Sequence, residues 1–236
     1  MLIGGLQKQS LIDYPGNITA VIFTQGCNFR CSFCHNPDLV LPERILKSEK
    51  ISEEYVFSFL SKNKNLLDAV TITGGEPTLH NDLPAFITGI KKLDLLVKLD
   101  TNGTNPTMLK TLIDNKLIDF VAMDIKTTLN LKKYKELCGD QLDEITFNKI
   151  KESIKIILDS DINHDFRTTV IKEQHSKEDL INICQSIKGS KEYSIQKFNP
   201  FVVIDKEFEK YQSYSDEELK EIVKELEKII PKINLR

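Results

Sequence analysis

The sequence has no excess of charge of either sign and no long apolar run. Its 32 Lys and Arg residues stand against 35 Asp and Glu residues, which gives a net charge of −3 over 236 residues. Proteins that bind nucleic acid usually carry a basic patch or stripe, so no nucleic-acid partner is expected. No apolar stretch approaches the roughly 18 residues that suggest a membrane span, so no membrane association is expected either.

Other absences narrow the function further. The first residues contain no basic region followed by an apolar run, which is the pattern of a secretory signal peptide, so the cytoplasm is the expected compartment. Only five cysteines occur. An odd number of cysteines in a reducing compartment favours metal binding or redox chemistry over disulfides. No GxGxxG or GxxxxGK[ST] loop follows any predicted strand, which argues against a Rossmann or P-loop nucleotide site.

Short β-branched or aromatic runs alternate with amphipathic stretches of helical period. Strands are predicted at residues 19–24, 69–73, 96–99, 120–125, 165–170 and 194–198. Helices are predicted at residues 52–63, 82–93, 107–115, 146–159 and 177–188. This alternation is typical of parallel βαβ units in an α/β fold. It leaves a doubly wound sheet and a partly closed barrel as alternatives. A polar-faced helix over residues 215–230 is expected to pack as an appendage.

Chemically active residues follow the predicted strands where each strand ends. Three cysteines follow the first strand, and the later strand ends carry Gly74-Gly75-Glu76-Pro77, Asp100-Thr101-Asn102-Gly103, and Asp124 with Lys126. In parallel α/β folds, sites are built where strands end and loops begin. One site on this rim is therefore predicted.

The spacing Cys-x3-Cys-x2-Cys places three thiols within eight residues: Cys27, Cys31 and Cys34. Three thiolates can hold one compact [4Fe–4S] cluster, and they leave one of its four irons open for an outside ligand. The alternative is a structural zinc site, which needs four ligands and would use His35 as the fourth. The remaining cysteines, Cys138 and Cys184, are expected to be small apolar fillers.

Two motifs together resemble the signatures of the radical S-adenosylmethionine (SAM) superfamily. They are Cys-x3-Cys-x-aromatic-Cys, with Phe33 as the aromatic residue, and Gly74-Gly75-Glu76-Pro77 after the second strand. A narrower similarity, carried by residues 3–8, 10–16, 25–31 and 34–37, is to the anaerobic ribonucleoside-triphosphate reductase activating proteins. These are glycyl-radical-enzyme activases. The chain lacks the extra ferredoxin-like clusters of some activases, so one cluster is expected.

The resemblance implies a partial (β/α)6 TIM-like barrel of the radical SAM type, which decides between the two architectures. It implies a single domain over residues 1–236, with a core at about 16–200 and a C-terminal helical extension at about 201–236. In such enzymes the open iron binds SAM, and a flavodoxin- or ferredoxin-type donor reduces the cluster. SAM is cleaved to methionine and a 5′-deoxyadenosyl radical, which removes hydrogen from a glycine of the partner, here an anaerobic ribonucleotide reductase.

Two alternatives to this activity stay open. One is the activation of another glycyl radical enzyme. The other is radical SAM chemistry on a small molecule, as in the 7-carboxy-7-deazaguanine synthases.

The resemblance also implies which residues bind SAM. The glycine pair lets the backbone approach the ligand, and Glu76 accepts hydrogen bonds from its ammonium group. His35 and Gln196 are expected near the adenine. The full set is Phe33, His35, Gly74, Gly75, Glu76, Asp100, Asn102, Lys126, Arg167 and Gln196.

Two further roles are implied by the resemblance alone. In the pyruvate formate-lyase activase, matching residues hold a small monovalent cation against the SAM carboxylate. Asp100, Thr101 and Asp124 are therefore expected to hold a monovalent cation, which would offset the repulsion between carboxylates. Asp13, in the segment Asp13-Tyr14-Pro15-Gly16, is expected to contact the glycine loop of the partner enzyme.

Overall fold

The first of two units in the chain is built on parallel strands rich in buried β-branched residues. It comprises Met1–Asn28 and Asn36–Ala122 of a computed structural model that describes residues 1–236. Its elements are β1 (Ile3–Ser10), β2 (Thr19–Thr24), α1 (Pro37–Val40), α2 (Pro42–Ile45), α3 (Glu53–Asn63), β3 (Ala69–Gly74), α4 (Leu83–Lys91), β4 (Leu96–Thr101) and α5 (Pro106–Asp114). A further strand, β5 (Phe120–Asp124), begins in this unit and ends in the second.

The strands of the first unit pair in the order of the chain. β1 runs antiparallel to β2, whereas β2, β3 and β4 are parallel. The consecutive residues Ala20, Val21 and Ile22 are all fully buried. Since successive side chains of a strand point to opposite faces, both faces of this sheet are covered. The C-terminal ends of β2, β3 and β4 therefore share one edge, where the predicted site residues begin.

Side-chain caps begin two of the helices in this unit. The Ser52 hydroxyl accepts a hydrogen bond from Tyr55 N at 3.2 Å at the start of α3. Asn105 caps α5 by accepting from Met108 N at 3.2 Å, with Pro106 at the first helical position. Each cap satisfies one of the backbone donors that a helix start leaves without an intrahelical partner.

The second unit comprises Phe29–His35 and Met123–Arg236. Its elements after β5 are α6 (Leu131–Cys138), α7 (Glu144–Leu158), β6 (Asn163–Val170), α8 (Lys177–Ser186), β7 (Glu192–Lys197), α9 (Asp216–Leu226) and β8 (Lys232–Leu235). β6, β7 and β8 are parallel. Strand β5 continues into this sheet region, because Ile125 N donates to the carbonyl of Arg167 at 2.8 Å.

The C-terminal segment is more than the helical extension that the sequence predicts. Helix α9 ends at Leu226, and the chain then adds β8 as a parallel strand on β7. An uncovered strand edge leaves backbone donors and acceptors without partners, and β8 satisfies those of β7. All six predicted strands are present, with ends within two residues of the predicted ones. The single-domain interpretation stays a prediction. No helix is both long enough and apolar enough to cross a membrane.

Candidate active site

Cys27 lies in the loop that leaves the C-terminal end of β2. The loop backbone is fixed where Gly26 N donates to the carbonyl of Leu39 at 2.7 Å. The side-chain amide of Asn102 approaches the thiol from the end of β4, with Nδ2 at 3.9 Å from Cys27 Sγ. A nitrogen donor in this position stabilises an ionised or metal-bound sulfur by hydrogen bonding.

The glycine pair at the end of β3 packs against the backbone that precedes Cys27. Gly74 has a φ of +115°, a conformation that side chains rarely allow. A Cβ on Gly75 would lie 2.0 Å from the carbonyl oxygen of Gly26. Glu76 N donates to the same oxygen at 2.8 Å. The sequence predicts that these glycines serve a ligand, and the structure shows that backbone packing already requires a glycine at position 75.

Glu76 is a carboxylate, 1% exposed, that joins the loops after β3 and β4. Its Oε1 accepts hydrogen bonds from Thr78 N at 3.1 Å, from the Thr78 hydroxyl, and from the Thr101 hydroxyl at 2.7 Å. Its Oε2 accepts from Asn102 N at 2.7 Å. Burial raises the pKa of Glu76, although these hydrogen bonds act in the opposite direction. Most of its accepting capacity is used within the protein, since Oε1 accepts three of these hydrogen bonds and Oε2 accepts one.

Asp100 and Asn102 leave β4 with their side chains already engaged. Asn102 Oδ1 accepts from the Thr104 hydroxyl at 2.7 Å, while Asn102 Nδ2 donates to Asn28 Oδ1 at 2.9 Å. Asp100 forms an ion pair with Lys98, two residues earlier on the same strand. Sequence reasoning missed Lys98. A lysine within an apolar strand could have revealed it, because lysines are rarely buried without a partner.

Cys31 and Cys34 lie in the loop that the second unit contributes, and Cys34 N donates to the carbonyl of Cys31 at 3.0 Å. The end of α6 holds this loop, since Arg30 N donates to the carbonyl of Cys138 at 2.8 Å. A hydrogen bond with Cys138 and burial raise the pKa of the Cys31 thiol, against the effect of the Lys126 charge. Burial of Cys138 and Cys184 is confirmed, but the contact of Cys138 with Cys31 was not predicted.

Asp124 ends β5 between two cations of the second unit. Lys126 Nζ lies 2.9 Å from Asp124 Oδ2, and the Arg167 guanidinium lies 2.8 Å from Asp124 Oδ1. Lys126 Nζ also lies 5.9 Å from the ring centre of Phe33. Burial acts to raise the pKa of Asp124, but the two cations outweigh it and lower the pKa to about 2. Burial acts to lower the pKa of Lys126, but Asp124 outweighs it and raises that pKa.

The Asp124 carboxylate should make folding sensitive to acid. Its pKa of about 2 in the folded protein lies below the ordinary value, which is about 3.9 in unfolded chains. The stabilisation, about 2 kcal/mol, is therefore present above pH ~4 and is lost as the pH falls toward 2. Between pH 5 and pH 2 the free energy of unfolding of Asp124→Asn should fall by about 2 kcal/mol less than that of the wild type. Denaturant unfolding at a series of pH values checks this, and equal acid sensitivity of the two proteins would contradict it.

A cavity of about 480 Å³ in the second unit is lined by two of the predicted SAM-binding residues, His35 and Gln196. His35 Nδ1 lies 3.0 Å from the carbonyl oxygen of Val202, and its ring centre lies 5.9 Å from that of Phe198. A cavity of this volume can hold a small organic ligand, and apart from Val202 all of its lining residues are polar or charged. The structure thus brings together the two residues expected near the adenine.

The cysteine set fits an iron–sulfur cluster by its chemistry. None of the five cysteines forms a disulfide, and thiolates are the ligands that soft metals and iron–sulfur clusters prefer. No group of three or more His, Cys, Asp or Glu side chains is arranged as a site for a single metal ion. The assignment of these cysteines as cluster ligands therefore rests on their motif and on the family.

Asp13 follows β1 in a loop that exposes apolar side chains. The Ser10 hydroxyl donates to Asp13 Oδ2, and Asp13 N donates to Ser10 Oγ at 3.3 Å. The neighbouring side chains Leu11 and Ile12 are 69% and 82% exposed. Below them, the buried Tyr14 ring packs on Phe120 with ring centres 5.5 Å apart. The loop thus exposes two apolar side chains beside a carboxylate, and the packing of Tyr14 on Phe120 holds the loop in place.

A family model described as the radical SAM superfamily matches residues 21–187. This range is more than half of the chain and contains the three clustered cysteines together with the loops after β3 and β4. Membership of this superfamily implies a [4Fe–4S] cluster and SAM as cofactors.

Two relatives narrow the family. The chain is 37% identical over 239 residues to a protein of Methanocaldococcus jannaschii whose provisional name is glycyl-radical enzyme activating enzyme, covering 100% of this chain and 95% of that one. It is 32% identical over 145 residues to the pyruvate formate-lyase-activating enzyme of Listeria monocytogenes. That alignment covers 57% of this chain and 56% of the relative.

A solved structure shows the fold. The crystal structure of a radical SAM methyltransferase from Sphaerobacter thermophilus matches with a TM-score of 0.64 at 14% identity, over 94% of this chain and 67% of that one. The predicted α/β fold of the radical SAM partial-barrel type is confirmed. With the superfamily match and the full-length relative, this places the chain in the radical SAM superfamily and, within it, among the glycyl-radical enzyme activating enzymes.

Proposed function

We propose that this protein activates an anaerobic ribonucleotide reductase by forming a glycyl radical on it, in the cytoplasm. The observation that carries the proposal is the Cys-x3-Cys-x2-Cys loop after β2, in a chain that aligns over its full length with a glycyl-radical enzyme activating enzyme. A [4Fe–4S] cluster bound there, with SAM and a flavodoxin- or ferredoxin-type donor, supplies the radical chemistry. The reductase as the target rests on the overall resemblance carried by residues 3–8, 10–16, 25–31 and 34–37.

The protein's own residues hold and shield these cofactors. In the first unit, Cys27 is the iron ligand, and the Asn102 amide 3.9 Å away donates to its sulfur. Glu76 keeps the loops after β3 and β4 in register and offers one lone pair of Oε2 to the ammonium of SAM. This rigid support matters because catalytic groups that are loosely held lose much of the rate advantage that a fixed orientation provides.

The second unit carries the other residues for which a role with the cofactors is proposed. Cys31 and Cys34 are the other iron ligands, on a loop that the end of α6 holds. Phe33 and Lys126 lie beside each other, and the cavity that His35 and Gln196 line accepts the adenine.

The loop at Asp13 favours a protein partner over a small-molecule substrate. Leu11 and Ile12 are adjacent and both exposed, so together they offer an apolar contact area of the kind that protein interfaces use. The Ser10 hydroxyl orients the Asp13 carboxylate beside them. This combination of apolar contact area and one fixed carboxylate fits an extended loop of a partner enzyme. The carboxylate can accept hydrogen bonds from the backbone N–H groups of such a loop.

Variants of this loop should separate partner activation from SAM cleavage. Ile12→Asp and Asp13→Ala are expected to weaken partner binding about tenfold or more, because one places a charge in the contact and the other removes its fixed acceptor. SAM cleavage without the partner should stay within about twofold of the wild type. The measurements are glycyl radical yield by EPR and 5′-deoxyadenosine formation by chromatography.

The matched control is Ile145→Asp, since Ile145 is 67% exposed on α7 of the second unit. It should leave both readouts unchanged. Equal loss of radical yield and of uncoupled cleavage in the Asp13→Ala variant would show that Asp13 serves the fold instead.

The chemistry itself is tested by the metal content. Anaerobically purified protein should be brown, contain about four irons per chain, and form 5′-deoxyadenosine from SAM once reduced. Colourless protein with about one zinc, and no cleavage after reduction, would favour the structural zinc alternative. Cleavage in the presence of a small-molecule substrate, with no glycyl radical on any candidate partner, would favour the small-molecule alternative.

A further inference from the structure

Lys98 is a lysine buried inside the first unit. It lies on β4 two residues before Asp100, so both side chains leave the same face of the strand. The side chain of Lys98 is 2% exposed and that of Asp100 is 11% exposed, and the Lys98 ammonium forms an ion pair with Asp100 Oδ1. Burying an ammonium is costly unless an anion pairs with it. The pair is therefore a fixed part of the strand end and not a surface contact.

The resemblance predicts a monovalent cation on Asp100, Thr101 and Asp124, and the described contacts of these residues do not fit one. Asp100 already faces the Lys98 ammonium. The Thr101 hydroxyl donates to Glu76 at 2.7 Å and accepts from Gly103 N at 3.1 Å, which uses its proton and one lone pair.

Asp124, in the second unit, is likewise supplied with positive charge. Lys126 lies 2.9 Å and the Arg167 guanidinium 2.8 Å from its two oxygens. A metal cation at either carboxylate would have to approach an ammonium or guanidinium group of like charge within a few ångströms, in surroundings where such repulsion is poorly screened. Each carboxylate is thus neutralised by the chain itself.

We propose that the Lys98 ammonium takes the place of the monovalent cation, so that this protein binds and cleaves SAM without one. The inference rests on the proposed function, because it concerns the same SAM site. It makes Lys98 a positioning residue: its charge holds Asp100 and supplies the positive field that a cation would bring to the SAM carboxylate.

The test compares cations on the anaerobically reconstituted wild-type protein. SAM affinity is measured by equilibrium dialysis, and 5′-deoxyadenosine formation by chromatography, with tetramethylammonium as the only cation and again with added Na⁺ or K⁺. The wild type is expected to show the same SAM affinity and the same SAM cleavage with tetramethylammonium alone, with Na⁺ and with K⁺, within about twofold. An affinity that falls tenfold or more when Na⁺ and K⁺ are withheld would overturn the proposal.

The Lys98→Met variant leaves Asp100 without this ammonium. It should bind SAM about tenfold or more weakly in tetramethylammonium and recover part of that loss in Na⁺ or K⁺. Unchanged affinity in tetramethylammonium would overturn the proposal. If the variant does not fold, the wild-type comparison decides alone. Lys91→Met is the matched control, because Lys91 pairs with Asp119 at 2.8 Å in the same unit on a half-exposed surface. A cation requirement that appears equally in Lys91→Met would overturn a specific role for Lys98.

Failure of the proposed function looks different from failure of this inference. A protein without a cluster, or one that does not cleave SAM under any cation, would reject the function. A protein that cleaves SAM only with Na⁺ or K⁺ would keep the function and reject the role of Lys98.

Discussion

Replacing Cys31 with alanine is expected to lower the iron content of the anaerobically purified protein from about four per chain to fewer than one, and to abolish SAM cleavage. Three thiolates hold three irons of the cluster, and each is needed because the fourth iron is left to the substrate. Two remaining thiolates cannot keep the cube anchored against solvent. Iron and sulfide analysis, the visible absorption of the cluster and 5′-deoxyadenosine formation measure the outcome.

The choice of control matters because Cys31 is buried and contacts Cys138. Cys184→Ala removes an equally buried thiol, on α8, that lies far from the motif in sequence. It should keep the cluster and SAM cleavage. Cys31→Ser keeps more of the shape of the side chain than Cys31→Ala and should lose the cluster as fully, which separates loss of a ligand from loss of packing. Cleavage of SAM by either Cys31 variant would overturn the ligand assignment.

Glu76→Gln is expected to lower the free energy of unfolding by about 3 kcal/mol and to weaken SAM binding. The wild-type carboxylate accepts donors on both oxygens, from Thr101 on Oε1 and from Asn102 N on Oε2. A glutamine must turn its NH2 group toward one of these donors, which leaves two buried donors facing each other. Urea unfolding of the reconstituted protein under anaerobic conditions measures the stability, and equilibrium dialysis measures the SAM affinity.

Glu54→Gln makes the same chemical change on the exposed face of α3. Its free energy of unfolding should stay within about 0.5 kcal/mol of the wild type. If Glu76→Gln were as stable as this control, the carboxylate would not be joining the loops after β3 and β4. If it were destabilised but bound SAM normally, Glu76 would serve the fold alone.

The parallel strands could be predicted because their residues suit burial on both faces of the sheet along the whole strand. The segments of β2 and β3 are short, β-branched and apolar on both faces, which suits a strand covered on both sides. The edge strands follow other rules. β1 mixes glycine with polar residues, and β8 has only four residues, so neither has an apolar period to detect. Their pairing is set by the neighbouring strand and not by their own sequence.

Helix α6 was also not predicted from the sequence. Lysines at positions 132, 133 and 135 hide its buried face, which carries Tyr134, Leu137 and Cys138. The signal that was present is the cap, because Asn130 accepts from Lys133 N at 3.2 Å. Since this helix holds the cysteine loop through the carbonyl of Cys138, missing it also hid the contact between Cys138 and Cys31.

Site residues that belong to a sequence motif were predicted. Residues whose role depends only on an ion pair with another residue were missed. The cysteine spacing and the glycine pair can be read along the chain as motifs, whereas no motif marks the pairing of Lys98 with Asp100. Likewise, the resemblance implies only that Arg167 binds SAM, and the structure pairs it with Asp124. An ion pair between residues far apart in the sequence, such as Arg167 and Asp124, depends on distances that no spacing rule predicts.

The most direct test of the account is an anaerobic EPR measurement on the class III ribonucleotide reductase of the same organism. The reductase is incubated with this protein, SAM and a one-electron reductant. We expect the doublet signal of a glycyl radical on the reductase, together with 5′-deoxyadenosine, and we expect the Cys31→Ala variant to form neither product. Formation of 5′-deoxyadenosine without any glycyl radical signal on the reductase would contradict it.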